Sequence, residues 1–178
     1  MVTLSMTIEY ALLGFLYQQP MHGYEIHQQL KNLQGLGMVW RVKQSRLYAL
    51  LGKLEKEEYI TSVLKPQQAR PPRKVFHLTL AGRKTFLDWV KNPVERGRQV
   101  RQEFLAKYYF VRSLEPEIGK NLISRQIVSC QQWLIDLHEE ASTGTPTASF
   151  EWVVHQYRIG QLTAMISWLD TCEEALDH

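Results

Sequence analysis

A mainly α-helical chain interrupted once by a small two-stranded β-wing is the fold class that the sequence predicts. Three observations carry it. Apolar residues recur at helical spacing through residues 5–57 and again from about residue 99 onward. The period changes to two only within residues 59–78. The seven prolines fall at the ends of the helical stretches or between them.

Composition bounds the reading. With 178 residues, 44% hydrophobic and 22% charged, the chain is long enough for one or two small domains with real cores. The apolar content excludes disorder, 10 Gly exclude collagen, and two Cys exclude a disulfide scaffold. No basic residue precedes Lys31, so no secretory leader is expected. The longest uncharged stretch, Tyr10 to Tyr24, contains Gln18, Gln19, Pro20 and His22 and falls short of the ~18 apolar residues of a membrane span. A cytoplasmic location is expected.

Taken in order, the first helix covers Ser5 to Gln18, with Ile8, Leu12, Phe15 and Leu16 as its stripe, and Pro20 stops it. A second restarts at His22-Gly23-Tyr24-Glu25 and fades at Gly35 and Gly37. The third, Gln44 to Glu57, places Leu47, Leu50, Leu51 and Leu54 on one face. Short strands follow at Tyr59–Lys65 and Lys74–Leu78. The joining segment, Pro66 to Arg73, is too rich in proline for a tight turn and reads as an extended loop. Thr79 caps a fourth helix through Phe86 and Trp89, which Asn92-Pro93 ends. Three helices, a wing and a helix make a winged helix-turn-helix domain at 1–91, with a linker at 92–98.

Residues 99–178 read as an antiparallel helical dimerisation domain with room for an effector. One helix covers Gln99–Ser113. Another, from Pro116, carries Ile123, Ile127, Cys130, Leu134, Leu137 and Ala141 at 4-3-4-3-4 spacing, compatible with a coiled-coil seam or a plain packing stripe. The last helix has two stripes, Phe150, Val154, Tyr157, Ala164, Trp168 and Leu162, Ile166, Leu169, Leu176. A hairpin of helices covers only one of them, so a second copy of the chain is expected to cover the other. Ile123, Ile127, Leu134, Leu137, Val154, Leu162, Ile166 and Leu169 are the expected dimer interface.

Charge divides along the same line. Residues 1–91 hold 13 Lys and Arg against 6 Asp and Glu, a balance of +7; residues 92–178 hold 8 against 12, a balance of −4. On the third helix the face opposite the leucines is Ser45, Ala49, Gly52, Lys53 and Lys56, flanked by Arg46 and Tyr48. Its small residues let a backbone approach base edges in a major groove, and its N-terminal end, with Lys43, Gln44 and Arg46, is where recognition helices read. The wing adds Gln68, Arg70, Arg73 and Lys74, with no acid between Glu58 and Asp88. Pro71-Pro72 stiffens its tip for docking on a phosphate backbone or minor groove.

These residues also resemble a known family. Leu12-Leu13-Gly14, Pro20-Met21-His22-Gly23-Tyr24-Glu25-Ile26, Trp40, Leu47-Tyr48, Leu54-Glu55 and Arg73 to Arg83 are similar to the signature of PadR-type transcriptional regulators, over about residues 8–91. The helical half is similar in layout to the longer PadR subfamily, whose corresponding domain dimerises and resembles that of virulence activators. The resemblance implies dimeric repression, often relieved by a small aromatic ligand. Two positions depart from the pattern: Ala49 stands where the family usually has Pro, and Glu58-Tyr59 where it usually has Gly before the first wing strand.

Other residues receive plainer roles. Tyr24 and Trp40 are read as core packing. Among the aromatic residues of the helical half, Tyr109, His155 and Tyr157 are the first candidates for an effector pocket, since each pairs an apolar body with a polar tip. Cys130 and Cys172 read as small core hydrophobes. His22 and His27 lie five apart, off the i, i+4 spacing of a helical metal site, so neither metal nor other cofactor is expected. With no phosphate-binding glycine loop or nucleophile elbow, and with Glu139-Glu140 and Glu173-Glu174 pointing apart on a helix, no enzyme is expected. The expected function is a dimeric, sequence-specific transcriptional regulator, a repressor of an inverted-repeat operator in double-stranded DNA, relieved by a small aromatic effector. The competing reading is a winged-helix protein-interaction adaptor that does not bind DNA.

Overall fold

The computed structural model describes residues 4–67, 70–142 and 147–176. The chain divides into two compact units. One comprises the described residues up to Val90 together with Arg101–Phe110; the other comprises Lys91–Val100 and the described residues from Val111 onward.

In the first unit α1 (Leu4–Gln18), α2 (Gly23–Lys31) and α3 (Gln44–Lys56) are followed by strands β2 (Ile60–Gln67) and β3 (Arg70–Leu78) and then α4 (Leu80–Lys91). Thr79 caps α4 as its sequence predicts: the Gly82 amide donates to the Thr79 hydroxyl at 3.0 Å, and that hydroxyl donates to the Glu58 and Tyr59 carbonyls. The sheet has one strand more than expected. β1 (Met21–His22) pairs antiparallel with β3 through Met21↔Phe76 and His22↔Val75, giving the order β1-β3-β2. Two residues are too few to leave a periodic signal.

The wing strands are also longer than expected. They run to Gln67 and from Arg70, with Gln67 opposite Arg70, so the segment read as an extended loop is mostly ladder. A register shift between Lys65 and Gln67 accommodates Pro66. Pro71 and Pro72 stand opposite Pro66 alone, inside that register shift, so neither interrupts a regular stretch of ladder.

The single helix expected over Gln99–Ser113 is broken. α5 (Gly97–Gln99) runs into a π-helical turn, Val100–Phe104, before α6 (Leu105–Val111). The turn ends on Phe104 and brings Glu103 inward. Glu103 and Lys107 are both buried and pair at 3.4 Å; Glu103 also accepts the Trp89 indole N–H at 3.0 Å, and Tyr10 stacks on Trp89 at 5.2 Å. Burial, reinforced by Glu103, raises the Tyr10 phenol above its ordinary value.

The second unit is built on α7 (Pro116–Ser142) and α8 (Phe150–Glu174), with Ser149 capping α8. Gly119 near the start of α7 lies against Leu176 just past the end of α8, so the two run antiparallel. Ile123, Cys130 and Leu137 of α7 and Leu162, Leu169 and Cys172 of α8 are buried. Ile123, Leu137, Leu162 and Leu169, expected at a dimer interface, are therefore covered within one protomer. Burial raises both thiols, that of Cys172 to about 11, so they are packed hydrophobes rather than reactive groups. No helix among the described residues is long and apolar enough to cross a membrane.

Candidate nucleic-acid interface

The third helix divides as its sequence predicts. Leu47, Leu50, Leu51 and Leu54 are buried, while Gln44, Ser45, Arg46, Tyr48, Ala49, Gly52, Lys53 and Lys56 are exposed, with Lys43 exposed at the N-cap position. Four leucines on one stripe fix the rotation of the helix on the core, and the polar face follows from that rotation.

A surface hollow of about 490 Å³ opens beside this face, lined by His22, Tyr24, Tyr48, Gly52, Glu55, Arg73 and Phe76 among others. Tyr24 is 59% exposed, which corrects its reading as core; Trp40 is buried, as expected. The close approach of α2 to α3 depends on Gly23, where a Cβ would lie 2.7 Å from the Tyr48 ring. The entry to α2 is held by the His22 amide, which donates to the Glu25 carboxylate at 2.7 Å.

The cations of the site fall into two sets. Arg46 and Arg73 are exposed, with no ion pair to a carboxylate among the described residues. Lys53 and Lys74 have partners. Lys53 pairs with Glu9 of α1 at 3.1 Å and with Glu57 at 3.8 Å, and the Glu9 hydrogen bond raises its ammonium above the ordinary value. Lys74 pairs with Glu55 at 2.6 Å, and Glu55 also accepts from the Ser62 hydroxyl. Lys74, and then Ser62, hold the Glu55 carboxyl below its ordinary value. Glu57 is visible in the helix sequence as an i, i+4 neighbour of Lys53, but the Lys53–Glu9 and Lys74–Glu55 pairs join α3 to α1 and to β3, and the sequence of the helix alone gives no signal for them. Gln68 lies outside the described residues, as does the side chain of Arg70.

Where α3 ends, Glu58 takes a left-handed conformation with φ 60°, and the Tyr59 amide donates to the Leu54 carbonyl at 3.0 Å. Glu58 thus performs the turn for which glycine is favoured, at a steric cost. The next turn is just as tight: a Cβ on Gly82 would lie 2.1 Å from the Tyr59 carbonyl oxygen.

The three effector candidates are not brought together within one unit. Tyr109 belongs to the first unit, where its ring lies edge-on to Phe15 and Phe110. His155 and Tyr157 belong to the second and sit two residues apart on α8, on different faces of the helix. The Nδ1 of His155 is buried without a hydrogen-bond partner among the described residues, while the Tyr157 hydroxyl accepts from Gln161 at 2.7 Å. Of the remaining interface candidates, Ile127, Leu134, Val154 and Ile166 are half-buried.

Comparison with known proteins places both halves. Residues 12–88 match the model of the transcriptional regulator PadR-like family, and residues 100–177 match that of the virulence activator alpha C-terminal domain. The negative transcriptional regulator PadR of Bacillus subtilis (strain 168) is 27% identical, over 96% of this chain and 97% of that protein. The crystal structure of Bacillus subtilis PadR in complex with operator DNA covers 95% of this chain and 98% of its own, at 27% identity and a TM-score of 0.48. The crystal structure of the same protein in complex with p-coumaric acid covers 97% and 99%, at 27% identity and a TM-score of 0.44. Residues 12–88 of the chain thus form a PadR-like transcriptional regulator domain.

Proposed function

We propose that this chain is a dimeric, sequence-specific DNA-binding repressor that works in the cytoplasm and is released from its operator by a small aromatic ligand. The observation that carries the reading is the exposed polar face of α3 beside a wing whose Arg73 has no carboxylate partner among the described residues. Gln44, Ser45, Arg46 and Ala49 would meet base edges in the major groove of double-stranded DNA. Lys43, Tyr48, Gln68, Arg70 and Arg73 would meet the phosphate backbone. The family and its Bacillus subtilis relative, a negative regulator, support the same reading.

The division of labour follows residues 1–91, 92–98 and 99–178, with dimerisation and effector response in the last. Val128 and Ile135 of α7 and Phe150, Val153 and Tyr157 of α8 are large apolar residues that the protomer leaves exposed. With the half-buried Ile127, Leu134, Val154 and Ile166 they form the face that a second copy would cover. Two recognition helices would then reach half-sites of an inverted repeat about 10 bp, or a multiple of it, apart. Tyr109, His155 and Tyr157 remain the effector candidates, His155 with a free ring nitrogen to offer a phenol or carboxyl group.

Selection of bound fragments from genomic DNA by the purified protein, with and without a panel of aromatic acids, tests this directly. Arg46→Ala should relax sequence preference by about 1–3 kcal/mol at the base it reads, and Arg73→Ala should weaken all sequences alike. Parent-like binding by both variants would show that these positions do not contact DNA.

A further inference from the structure

The wing projects from a sheet that supports it only at its base. Among the described residues β1 pairs with β3 at Val75 and Phe76 and no farther, so residues 64–65 and 73–74 form a ladder of two strands. A two-stranded ribbon is marginal on its own, and something must fix its direction. One oxygen of Glu55, a residue of α3, accepts from the Ser62 hydroxyl on β2, and the other accepts from the Lys74 ammonium on β3 at 2.6 Å. Ser62 lies opposite Phe76, on the part of the sheet that β1 supports, and Lys74 is the first residue of β3 past it, so the carboxylate joins the supported base to the start of the ribbon.

This carboxylate is 31% exposed and lines the hollow between α3 and the wing. A negative charge on a face that meets phosphates opposes binding by simple Coulomb repulsion. Its contribution must therefore be geometric. We propose that Glu55 is a positioning residue for DNA binding, which fixes the wing against the recognition helix through Ser62 and Lys74, so that Lys74 acts as a strut and not as a phosphate ligand. The proposal rests on the DNA-binding reading above.

A double-mutant cycle on the full-length protein tests it, with a duplex fragment that the parent has selected from random-sequence DNA. Glu55→Gln should weaken binding about two- to fivefold, the range of a partly exposed ion pair, although it removes an unfavourable charge. Ser62→Ala should shift affinity in the same direction through the other leg. In the Glu55→Gln background, Lys74→Met should cost nothing further and leave the salt slope unchanged. Tighter binding by Glu55→Gln would overturn the proposal. So would a slope that Lys74→Met flattens by about 0.9 in that background, the signature of a phosphate that Lys74 had neutralised. Thermal unfolding of each variant above the assay temperature separates these effects from failure to fold. A parent that selects no duplex at all removes the DNA reading first and the positioning claim with it.

Discussion

The unit that carries the wing and the unit built on α7 and α8 hold together by different means. The interior of the first is made of singular devices: the Glu103–Lys107 pair under Trp89, the edge-on rings of Phe15, Phe86 and Phe110, and a glycine at position 82 where no side chain fits. The second repeats one device along a seam, Ile123, Cys130 and Leu137 with Leu162, Leu169 and Cys172, and has Gln126 as its buried amide, accepting from the Val94 N–H at 2.7 Å. Their outer surfaces differ in the same way. The first sets guanidinium groups beside a polar helix face, and its exposed apolar residues, such as Leu33, Met38, Leu64 and Leu80, are spread over separate segments; the second exposes Val128 and Ile135 on α7 and Phe150 and Val153 on α8. The contrast teaches what each surface requires: an exposed cationic face is matched by an anion, and an exposed apolar face by another apolar face.

The contrast is broken most severely from inside the first unit. Lys107→Met leaves the Glu103 carboxylate buried without its counter-charge and should cost about 3–5 kcal/mol in denaturant unfolding, while Glu103→Leu with Lys107→Met should recover most of that loss. A loss under about 1 kcal/mol would mean that water reaches the pair. The surface of the second unit comes next. Val153→Glu places a charge in the exposed apolar face and should lower the sedimenting mass from twice 20.8 kDa to 20.8 kDa at micromolar concentration, with little change in helicity. A parent that sediments at 20.8 kDa would remove the dimer. The smallest effect is a gain: Glu58→Gly relieves the left-handed residue at φ 60° and should stabilise the fold by about 1 kcal/mol.

What the sequence made legible follows from which signals are local. The four leucines of α3 repeat at 0, 3, 4 and 7, and that spacing alone orients Ser45, Arg46, Ala49 and Lys53 outward. Thr79 is a cap because a hydroxyl three residues ahead of an amide makes the same bond in any protein. Glu57 is legible as an i, i+4 neighbour of Lys53, but Glu9, 44 residues from Lys53, and Glu55, 19 residues from Lys74, are not. β1 escaped because its pairing is with β3, more than fifty residues on. The length of the wing is hidden for a different reason: proline counts against a strand only where it interrupts a regular ladder, and Pro66, Pro71 and Pro72 all fall in the register shift between the Lys65–Arg73 and Gln67–Arg70 pairs. The Glu103–Lys107 pair did leave a trace, an i, i+4 spacing, but that pattern usually marks an exposed helix face, and here the residues are buried. On α8 the two stripes separated residues by face but could not rank them, so Leu162 and Leu169 went to the protomer's own seam while Phe150 and Tyr157 stayed outside.

The central claim is that the face of α3 and the wing grip the phosphates of duplex DNA. Its most direct measurement is the affinity of the full-length protein for a selected duplex fragment across a series of salt concentrations. The account predicts a straight decline of log K with log salt concentration, with a slope that Arg73→Ala makes shallower by about 0.9 for each phosphate that Arg73 neutralises. Binding that is indifferent to salt, or a slope that Arg73→Ala leaves unchanged, would contradict it.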